Sequence, residues 1–267
     1  MVMLAVIYDK ICIISLEWLD VFLTSNIGGY KNIGDIKSSD LFFSDNDFLK
    51  NLKNGLKNNH KFVLIASDPL DYKKNDMYLN IDKNSLEISG LVFDEYYVLD
   101  NRNISEINDI LKNVSLIFLS GGDTYIQNKF FNDINLKRYL NKDMIIVGIS
   151  AGSINMATIS YNSPECKDDL IHSSVLNGLG LTDINIEPHF VVDDLDTDDK
   201  VLQREDILKE SYNRIIYALP DNSYILISNG VNKVYGKCYK IEKGVITLLN
   251  DDNQVLEIWQ KHLIILL

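Results

Sequence analysis

Positive charge is scarce in this chain. Lysine and arginine together number 26, against 38 aspartates and glutamates, which gives a formal net charge of −12. A protein with that balance repels phosphate backbones, so we expect no nucleic-acid partner. Only four of the basic residues are arginines, namely Arg102, Arg138, Arg204 and Arg214. Few guanidinium groups are therefore available to hold an anionic substrate.

Cysteine is also rare. Cys12, Cys166 and Cys238 are widely separated and odd in number, and no CxxC spacing occurs. This pattern indicates neither a zinc site nor a disulfide framework. We expect a protein of the reducing cytoplasm that needs no metal or other cofactor.

Long apolar runs and proline-rich linkers are missing too. No uncharged apolar stretch of 18 residues exists, and no signal-peptide pattern is visible at the N-terminus, so we expect no membrane partner. Only 4 prolines occur, while 46% of the residues are hydrophobic. We therefore expect one domain over residues 1–267.

What the first half contains is an alternation of strand and helix patterns. Short apolar runs predict buried strands, and amphipathic segments between them predict helices. The predicted strands are Val21–Thr24, Lys61–Ala66, Glu95–Leu99, Leu116–Leu119 and Met144–Gly148. The predicted helices are Asp47–Leu56, Ile104–Leu111 and Thr124–Tyr139. This alternation is typical of an α/β protein with a mostly parallel sheet and right-handed crossovers.

The second half predicts shorter strands. They lie at Ile184–Ile186, Arg214–Ala218, Tyr224–Ser228 and Val234–Ile241, and a terminal hairpin is predicted to turn at Gly244. Between the first two, residues 192–199 carry five aspartates in eight residues. We interpret this segment as a solvated loop, since it lacks the glycine and terminal glutamate of an EF-hand loop.

A nucleophile elbow is the strongest local signal for chemistry. The apolar strand at residues 145–147 runs into Gly148-Ile149-Ser150-Ala151-Gly152, and a helix pattern follows. This G-x-S-x-G arrangement exposes a serine at a sharp strand-to-helix turn. The helix amides there point toward a developing oxyanion. A plain strand–turn–helix with Ser150 as the N-cap is the simpler alternative.

Two further segments could complete a hydrolytic site. Gly121-Gly122-Asp123 follows the strand Leu116–Leu119, where two glycines can present a backbone amide. His189 directly follows Pro188, where a strand-like segment ends, and could act as a base. The other histidines are His60, His172 and His262, in a polar turn, an irregular region and the C-terminal segment.

Together these motifs resemble the dipeptidase E and cyanophycinase family of serine peptidases. In that family a G-G-[ND] loop, an S-A-G elbow and a P-H motif follow one another, as they do here. Similar segments also occur at Phe22–Asn26, Leu219–Ser223 and Ile227–Gly230, so the resemblance runs from about Val21 to Glu257. Residues 1–20 precede it and could add a strand or helix.

The resemblance implies a three-layer α/β/α sandwich of the class I glutamine amidotransferase-like or flavodoxin-like type. It implies an exopeptidase of short peptides, monomeric or homodimeric, in which Ser150 is the nucleophile and His189 the base. The amides of Gly122 and Ala151 would form the oxyanion hole. Gly121, Asp123 and Arg204 would contact the substrate, with Arg204 the candidate cation for an acidic side chain.

The resemblance also implies a catalytic acid between the elbow and the histidine. Glu165 is the best match, and Asp168 and Asp169 are its rivals. The acid would orient the imidazole and stabilise its charged form.

Two other functions stay open at this point. A catalytically inactive relative could bind a small ligand or partner in the same cleft, and Asp123, a negative charge beside the oxyanion hole, favours it. A glutamine amidotransferase-like hydrolase is disfavoured, because such enzymes use cysteine where this chain has Ser150.

Overall fold

The computed structural model describes residues 19–34, 36–252 and 254–259. Cys12 and His262 lie outside these ranges. The strand or helix suggested for residues 1–20 also lies outside them, except for residues 19 and 20. In chain order the strands are β1 (Asp20–Thr24), β2 (Gly28–Ile33), β3 (Ile36–Phe42), β4 (Lys61–Ile65), β5 (Glu95–Leu99), β6 (Leu116–Leu119), β7 (Ile145–Ile149), β8 (Ile159–Tyr161), β9 (Val175–Asn177), β10 (Asn185–Pro188), β11 (Ile216–Leu219), β12 (Tyr224–Ser228), β13 (Val231–Tyr235), β14 (Cys238–Glu242), β15 (Val245–Asn250) and β16 (Val255–Ile258).

Helices connect many of these strands. They are α1 (Phe48–Gly55), α2 (Tyr72–Ile88), α3 (Ile107–Ile110), α4 (Thr124–Asp133), α5 (Ala151–Ile154) and α6 (Asp198–Glu210), with 3₁₀ turns at Asp45–Asp47, Ile104–Glu106, Leu136–Tyr139 and Lys167–Ile171. Within the described ranges, none is long and apolar enough to cross a membrane.

An eight-stranded sheet forms the centre, in the order β16-β13-β12-β1-β7-β6-β4-β5. Strands β1, β7, β6, β4 and β5 are parallel, and β12, β13 and β16 extend the sheet antiparallel. Side chains alternate between its two faces. In β6, Ile117 and Leu119 join the core that holds α3 and α4, while Leu116 and Phe118 join the core that holds α1 and α2. Both faces are covered, which confirms the predicted three-layer α/β sandwich.

A four-stranded sheet, in the order β10-β11-β14-β15, lies beside this sandwich and carries part of the site. Strands β10 and β11 are parallel, with Pro188 opposite Leu219. Its apolar side chains pack against Ile207 of α6. Because β10 and β11 run in the same direction, the loops after them emerge at the same edge.

Most predicted elements of the first half are confirmed within a residue or two, and one of the second half is wrong. The predicted strand Val234–Ile241 is two strands, β13 and β14, that belong to different sheets. They separate at Gly236, whose φ of +77° is a turn conformation that favours glycine. The predicted hairpin at Gly244 is confirmed, with Lys243 and Gly244 both at positive φ, as a type I′ turn requires.

Several regular segments were not predicted, namely β2, β3, α2, β8, β9, α6 and β16. The longest described helix, α2, packs against the hairpin β2–β3, and the Ser85 hydroxyl donates a hydrogen bond to the Gly29 carbonyl across that contact. Helix α6 begins inside the acidic segment, where the Thr197 hydroxyl accepts a hydrogen bond from the Lys200 amide. Asp198 and Asp199 occupy its first turn, where negative charge is favourable. The loop interpretation of residues 192–199 therefore holds only for its first part.

Candidate active site

Ser150 lies in a strained turn between β7 and α5. Its backbone has φ 51° and ψ −111°, a conformation rare for residues other than glycine and typical of a nucleophile elbow. The flanking glycines are required by close packing. A Cβ on Gly152 would lie 2.2 Å from the Leu119 carbonyl oxygen, and one on Gly148 would lie 2.6 Å from the Ser153 nitrogen. The turn can form only with glycine at both positions.

Hydrogen bonds to the neighbouring strand hold this turn. The Ser150 amide donates to the carbonyl oxygens of Thr24, at 3.0 Å, and Ser25, at 3.2 Å. The hydroxyl of Ser153, the second serine of the elbow, donates to the Thr24 carbonyl at 2.8 Å and is buried. Ser153 is thus a structural residue, whereas the half-buried Ser150 is accessible.

His189 is held by a carboxylate from the next strand. Its Nδ1 lies 2.7 Å from Oδ1 of Asp221, and both residues follow the parallel pair β10 and β11. The hydrogen bond from His189 holds the pKa of the Asp221 carboxyl below its usual range, despite partial burial. Asp221 is therefore ionised near neutrality and fixes the ring so that Nε2 faces away from the carboxylate.

Two side chains after β1 position this pair. The Ser25 hydroxyl donates to Oδ1 of Asp221 at 2.9 Å and accepts from the His189 backbone amide at 2.8 Å. The Asn26 side-chain amide donates to Oδ2 of Asp221 at 3.2 Å. Since the Ser25 carbonyl also accepts from the Ser150 amide, one segment contacts all three residues of a Ser–His–Asp arrangement.

The acids expected from the family resemblance, Glu165, Asp168 and Asp169, make no hydrogen bond to His189 within the described ranges. Oδ2 of Asp169 accepts from the amides of Glu165, at 2.8 Å, and Cys166, at 3.2 Å. Glu165 is exposed and lines a cavity with Ser150 and His189. Across the described part of the chain, neither of them nor Asp168 is hydrogen-bonded to the imidazole. The geometry thus favours Asp221, in the order Ser, His, acid, over Glu165.

The predicted oxyanion donors flank Ser150. The backbone amides of Gly122 and Ala151 donate no hydrogen bond within the described ranges, so both are free for a ligand. A Cβ on Gly121 would lie 3.6 Å from Cβ of Ser150, which places the glycine loop beside the nucleophile. Gly122 has φ +149°, a conformation that favours glycine.

Asp123 does not direct its charge at this position. Its side chain is the N-cap of α4, and its Oδ1 accepts from the Ile126 amide at 2.8 Å. A carboxylate in that position is stabilised by the helix amides and dipole. The charge of Asp123 is therefore a weaker argument for a catalytically inactive relative than the sequence alone suggests.

Two cavities meet at Ser150 and His189. The first, about 310 Å³, is called here the Glu187 cavity, and the second, about 280 Å³, the Tyr78 cavity. The Glu187 cavity is also lined by Glu165, Glu187, Asp194, Lys200, Gln203 and Arg204. The Tyr78 cavity is also lined by Gly121, Tyr30, Lys37, Tyr78 and Asp82. A chain of substrate bound across Ser150 could place one side in each cavity.

Glu187 is the most unusual of these residues. It is 4% exposed, and its Oε1 accepts from the Ser163 hydroxyl at 2.7 Å and from the Gln203 amide at 3.1 Å. Its buried Oε2 has no partner among the described residues. Burial raises the pKa of this carboxyl to about 7.

The three residues predicted to contact substrate have different positions. Gly121 lines the Tyr78 cavity and Arg204 lines the Glu187 cavity, where its Nη1 donates to the Val192 carbonyl. Asp123 caps α4. Their contacts with substrate stay predictions. In the described residues no group of three or more histidines, cysteines or acids is placed to hold a metal ion.

Sequence reasoning missed Ser25, Asn26, Asp221 and Glu187. A signal for Asp221 was present, because it follows the strand next to the one that ends at His189. Side chains that follow adjacent parallel strands meet at one sheet edge. For Glu187 the signal was a carboxylate inside a strand-like segment, two residues before His189.

Comparisons with known proteins identify a sequence family and a similar fold. Residues 33–234 match the sequence model described as Peptidase family S51. A peptidase from an acI-B1 Actinobacterium has a similar structure, with 14% sequence identity and a TM-score of 0.62 over 90% of this chain and 96% of that one. A candidate peptidase E from Listeria monocytogenes EGD-e has 16% identity and a TM-score of 0.49 over 90% and 97% of the two chains. No curated protein sequence matches the chain.

Proposed function

We propose that this chain hydrolyses short peptides as a serine-type exopeptidase. It belongs to peptidase family S51, the family of dipeptidase E and cyanophycinase. The observation that carries the proposal is that Ser150, in a strained elbow, and His189, paired with Asp221, line the same two cavities. They come from different sheets, and their meeting at both cavities is what a hydrolytic site requires.

The arrangement supports an acyl-enzyme mechanism. Asp221 occupies Nδ1 of His189, which leaves Nε2 to accept the proton of the Ser150 hydroxyl as that oxygen attacks the scissile carbonyl. The same nitrogen then delivers the proton to the leaving amine. Water hydrolyses the acyl-enzyme by the reverse sequence of proton transfers and frees Ser150.

Two backbone amides would stabilise the tetrahedral intermediates. Gly122 and Ala151 flank the nucleophile and have no other acceptor within the described ranges. Loss of one such donor typically lowers the rate on the order of a hundredfold or more. Arg204 and Asp123 have the intramolecular contacts described above, so selectivity for an aspartyl side chain is not part of the proposal.

A ligand-binding relative without catalysis is the second candidate. It is favoured by one observation, namely that no hydrogen bond joins Ser150 to His189 in the described part of the chain. Such bonds are often long in enzymes without substrate and shorten in the complex, so we rank this candidate second.

Location and assembly belong to the same proposal. We propose a reducing cytoplasm, in keeping with Cys166 and Cys238, which form no disulfide within the part of the chain that the structure describes. The monomeric or homodimeric state stays a prediction from the resemblance.

The test is the hydrolysis of a dipeptide panel, followed by mass spectrometry. Wild type is expected to cleave free dipeptides, and Ser150→Ala is expected to lose at least about a thousandfold in kcat/KM. Ser173→Ala removes an exposed serine outside the site and serves as the matched control. Equal rates in wild type and Ser150→Ala would refute the proposal.

A further inference from the structure

The Glu187 cavity is lined by a carboxylate with one oxygen that no described residue satisfies. Glu187 lies on β10, two residues before His189, and both residues line the cavity with Ser150. Ser163 and Gln203 fix Oε1, so the carboxylate has one orientation, and Oε2 is buried without a partner in the described ranges. A buried polar atom left unpaired costs about 1–3 kcal/mol, and more when charged. Because Glu187 lines the cavity, its unpaired oxygen marks a position where a donor can bind.

Two cations and two further carboxylates also line this cavity. Nζ of Lys200 lies 3.6 Å from Oδ2 of Asp194 and 3.4 Å from Oε1 of Gln203. Nη1 of Arg204 donates to the Val192 carbonyl. The carboxylate of Glu165 is exposed at the rim. Both cations thus have acceptors, whereas Oε2 of Glu187 has no donor among the described residues.

We propose that Glu187 is a specificity-determining residue whose Oε2 accepts a hydrogen bond from an ammonium group of the peptide substrate. The ligand chemistry is a protonated amine, supplied either by the N-terminus of the peptide or by a lysine side chain next to the scissile bond. The inference rests on the proposed function for the nature of the ligand.

An ammonium group fits this position better than other groups. A carboxylate ligand placed at this oxygen would be repelled by the ionised Glu187, and an apolar ligand would leave Oε2 unpaired. An ammonium donates a charge-assisted hydrogen bond, which is roughly twice as strong as a neutral one. Burial raises the pKa of Glu187 to about 7, so the carboxylate is available to a cation at slightly alkaline pH. A cavity of about 310 Å³ also has room for a lysine side chain.

Binding to the Ser150→Ala protein, measured by calorimetry at pH 8, tests the proposal without turnover. The ligands are Lys-Ala, norleucine-Ala and the N-acetylated form of each, so that either ammonium is removed alone. Removal of the recognised ammonium is expected to weaken binding roughly 30-fold or more. Adding Glu187→Gln, which keeps the acceptor for Ser163 and Gln203, is expected to abolish that discrimination. Asp193→Asn, an exposed neighbour outside the cavity lining, is the charge-matched control and is expected to retain it.

The outcomes separate the sources of the amine. Discrimination between lysine and norleucine assigns the side chain, and discrimination between free and acetylated peptides assigns the N-terminus. The proposal is overturned if removal of an ammonium group weakens binding by the same factor with and without Glu187→Gln. It is also overturned if none of the four ligands binds. A water on Oε2 would produce the first of these negative results. If Glu187→Gln does not fold, binding that is equal for all four ligands in Ser150→Ala still overturns it.

Failure here differs from failure of the proposed function. If Ser150→Ala with Glu187 intact shows no ammonium preference while the wild type hydrolyses peptides through Ser150, the role of Glu187 alone is refuted. Ammonium-dependent binding without any hydrolysis by the wild type would refute the peptidase proposal only.

Discussion

Burial of Glu187 makes the stability of the protein depend on pH. The substitution Glu187→Gln is expected to remove this contribution. The pKa of this carboxyl is raised from its ordinary value of 4.5 to about 7 by desolvation, with Glu165 contributing repulsion and Lys200 and His189 opposing the rise. Each pKa unit corresponds to about 1.4 kcal/mol, so the difference amounts to about 3 kcal/mol. In Glu187→Gln the side chain keeps its acceptor oxygen toward Ser163 and no longer titrates.

The direction in which stability changes with pH follows from the number of protons bound by the folded and unfolded states. Between pH 4.5 and about 7 the folded state retains the proton of Glu187 while the unfolded chain releases it. This group therefore makes the wild type less stable as pH rises through that window, and the loss is complete above pH 7. The stability of Glu187→Gln relative to wild type is expected to increase by about 3 kcal/mol from pH 4.5 to pH 8.

Urea unfolding of both proteins at the two pH values measures this difference. Any constant effect of the amide, including its buried NH₂ group, is the same at both pH values and cancels. All other titrating groups are shared and also cancel, provided that the m-values agree. A relative stability that does not change between pH 4.5 and pH 8 would refute the assignment of a raised pKa to this buried carboxyl.

Other substitutions test the site and its supports. Asp221→Asn is expected to lower kcat by about 10³–10⁴-fold, whereas Glu165→Gln is expected to stay within a few-fold; the reverse result in a dipeptide assay would restore Glu165 as the acid. Ser25→Ala is expected to lower kcat about tenfold with little change in KM, since one hydrogen bond to a charged group is lost, and a normal kcat would contradict its positioning role. Gly152→Ala is expected to cost about 3 kcal/mol or more in thermal unfolding, because its Cβ would lie 2.2 Å from the Leu119 oxygen, and an unchanged Tm would contradict that.

The middle of the central sheet was predictable because its parallel strands are buried on both faces. Parallel strands of that kind are short apolar runs, and β4, β6 and β7 carry that pattern plainly. Ser150 and the glycines around it were found because the strained turn needs glycine at two fixed positions. These features depend on local sequence alone.

Helix α2 was not predicted because it has little apolar periodicity. Its buried residues include Asn75 and Ser85 together with Ile81 and Leu86, and much of the rest is polar. Its N-terminus depends on Asp71, whose carboxylate accepts from the Lys74 amide at 3.1 Å. A helix stabilised by tertiary contacts of polar side chains gives only a weak signal in one sequence.

The partner of His189 was not predicted because it depends on tertiary pairing. Helix α6 separates β10 from β11 in sequence, and only their parallel pairing brings Asp221 to the imidazole. Ser25 comes from the start of the described chain and meets the same carboxylate. The resemblance to a family placed the acid before the histidine, and the geometry favours one after it.

Activation of Ser150 as a nucleophile by His189 and Asp221 is the feature on which the proposed peptidase function depends. It is tested by the intact mass of the folded protein after treatment with a fluorophosphonate, with Ser150→Ala and Ser173→Ala treated in parallel. A single adduct is expected on wild type and on Ser173→Ala, and none on Ser150→Ala. A folded wild-type protein that forms no adduct, or an adduct that persists in Ser150→Ala, would contradict this activation.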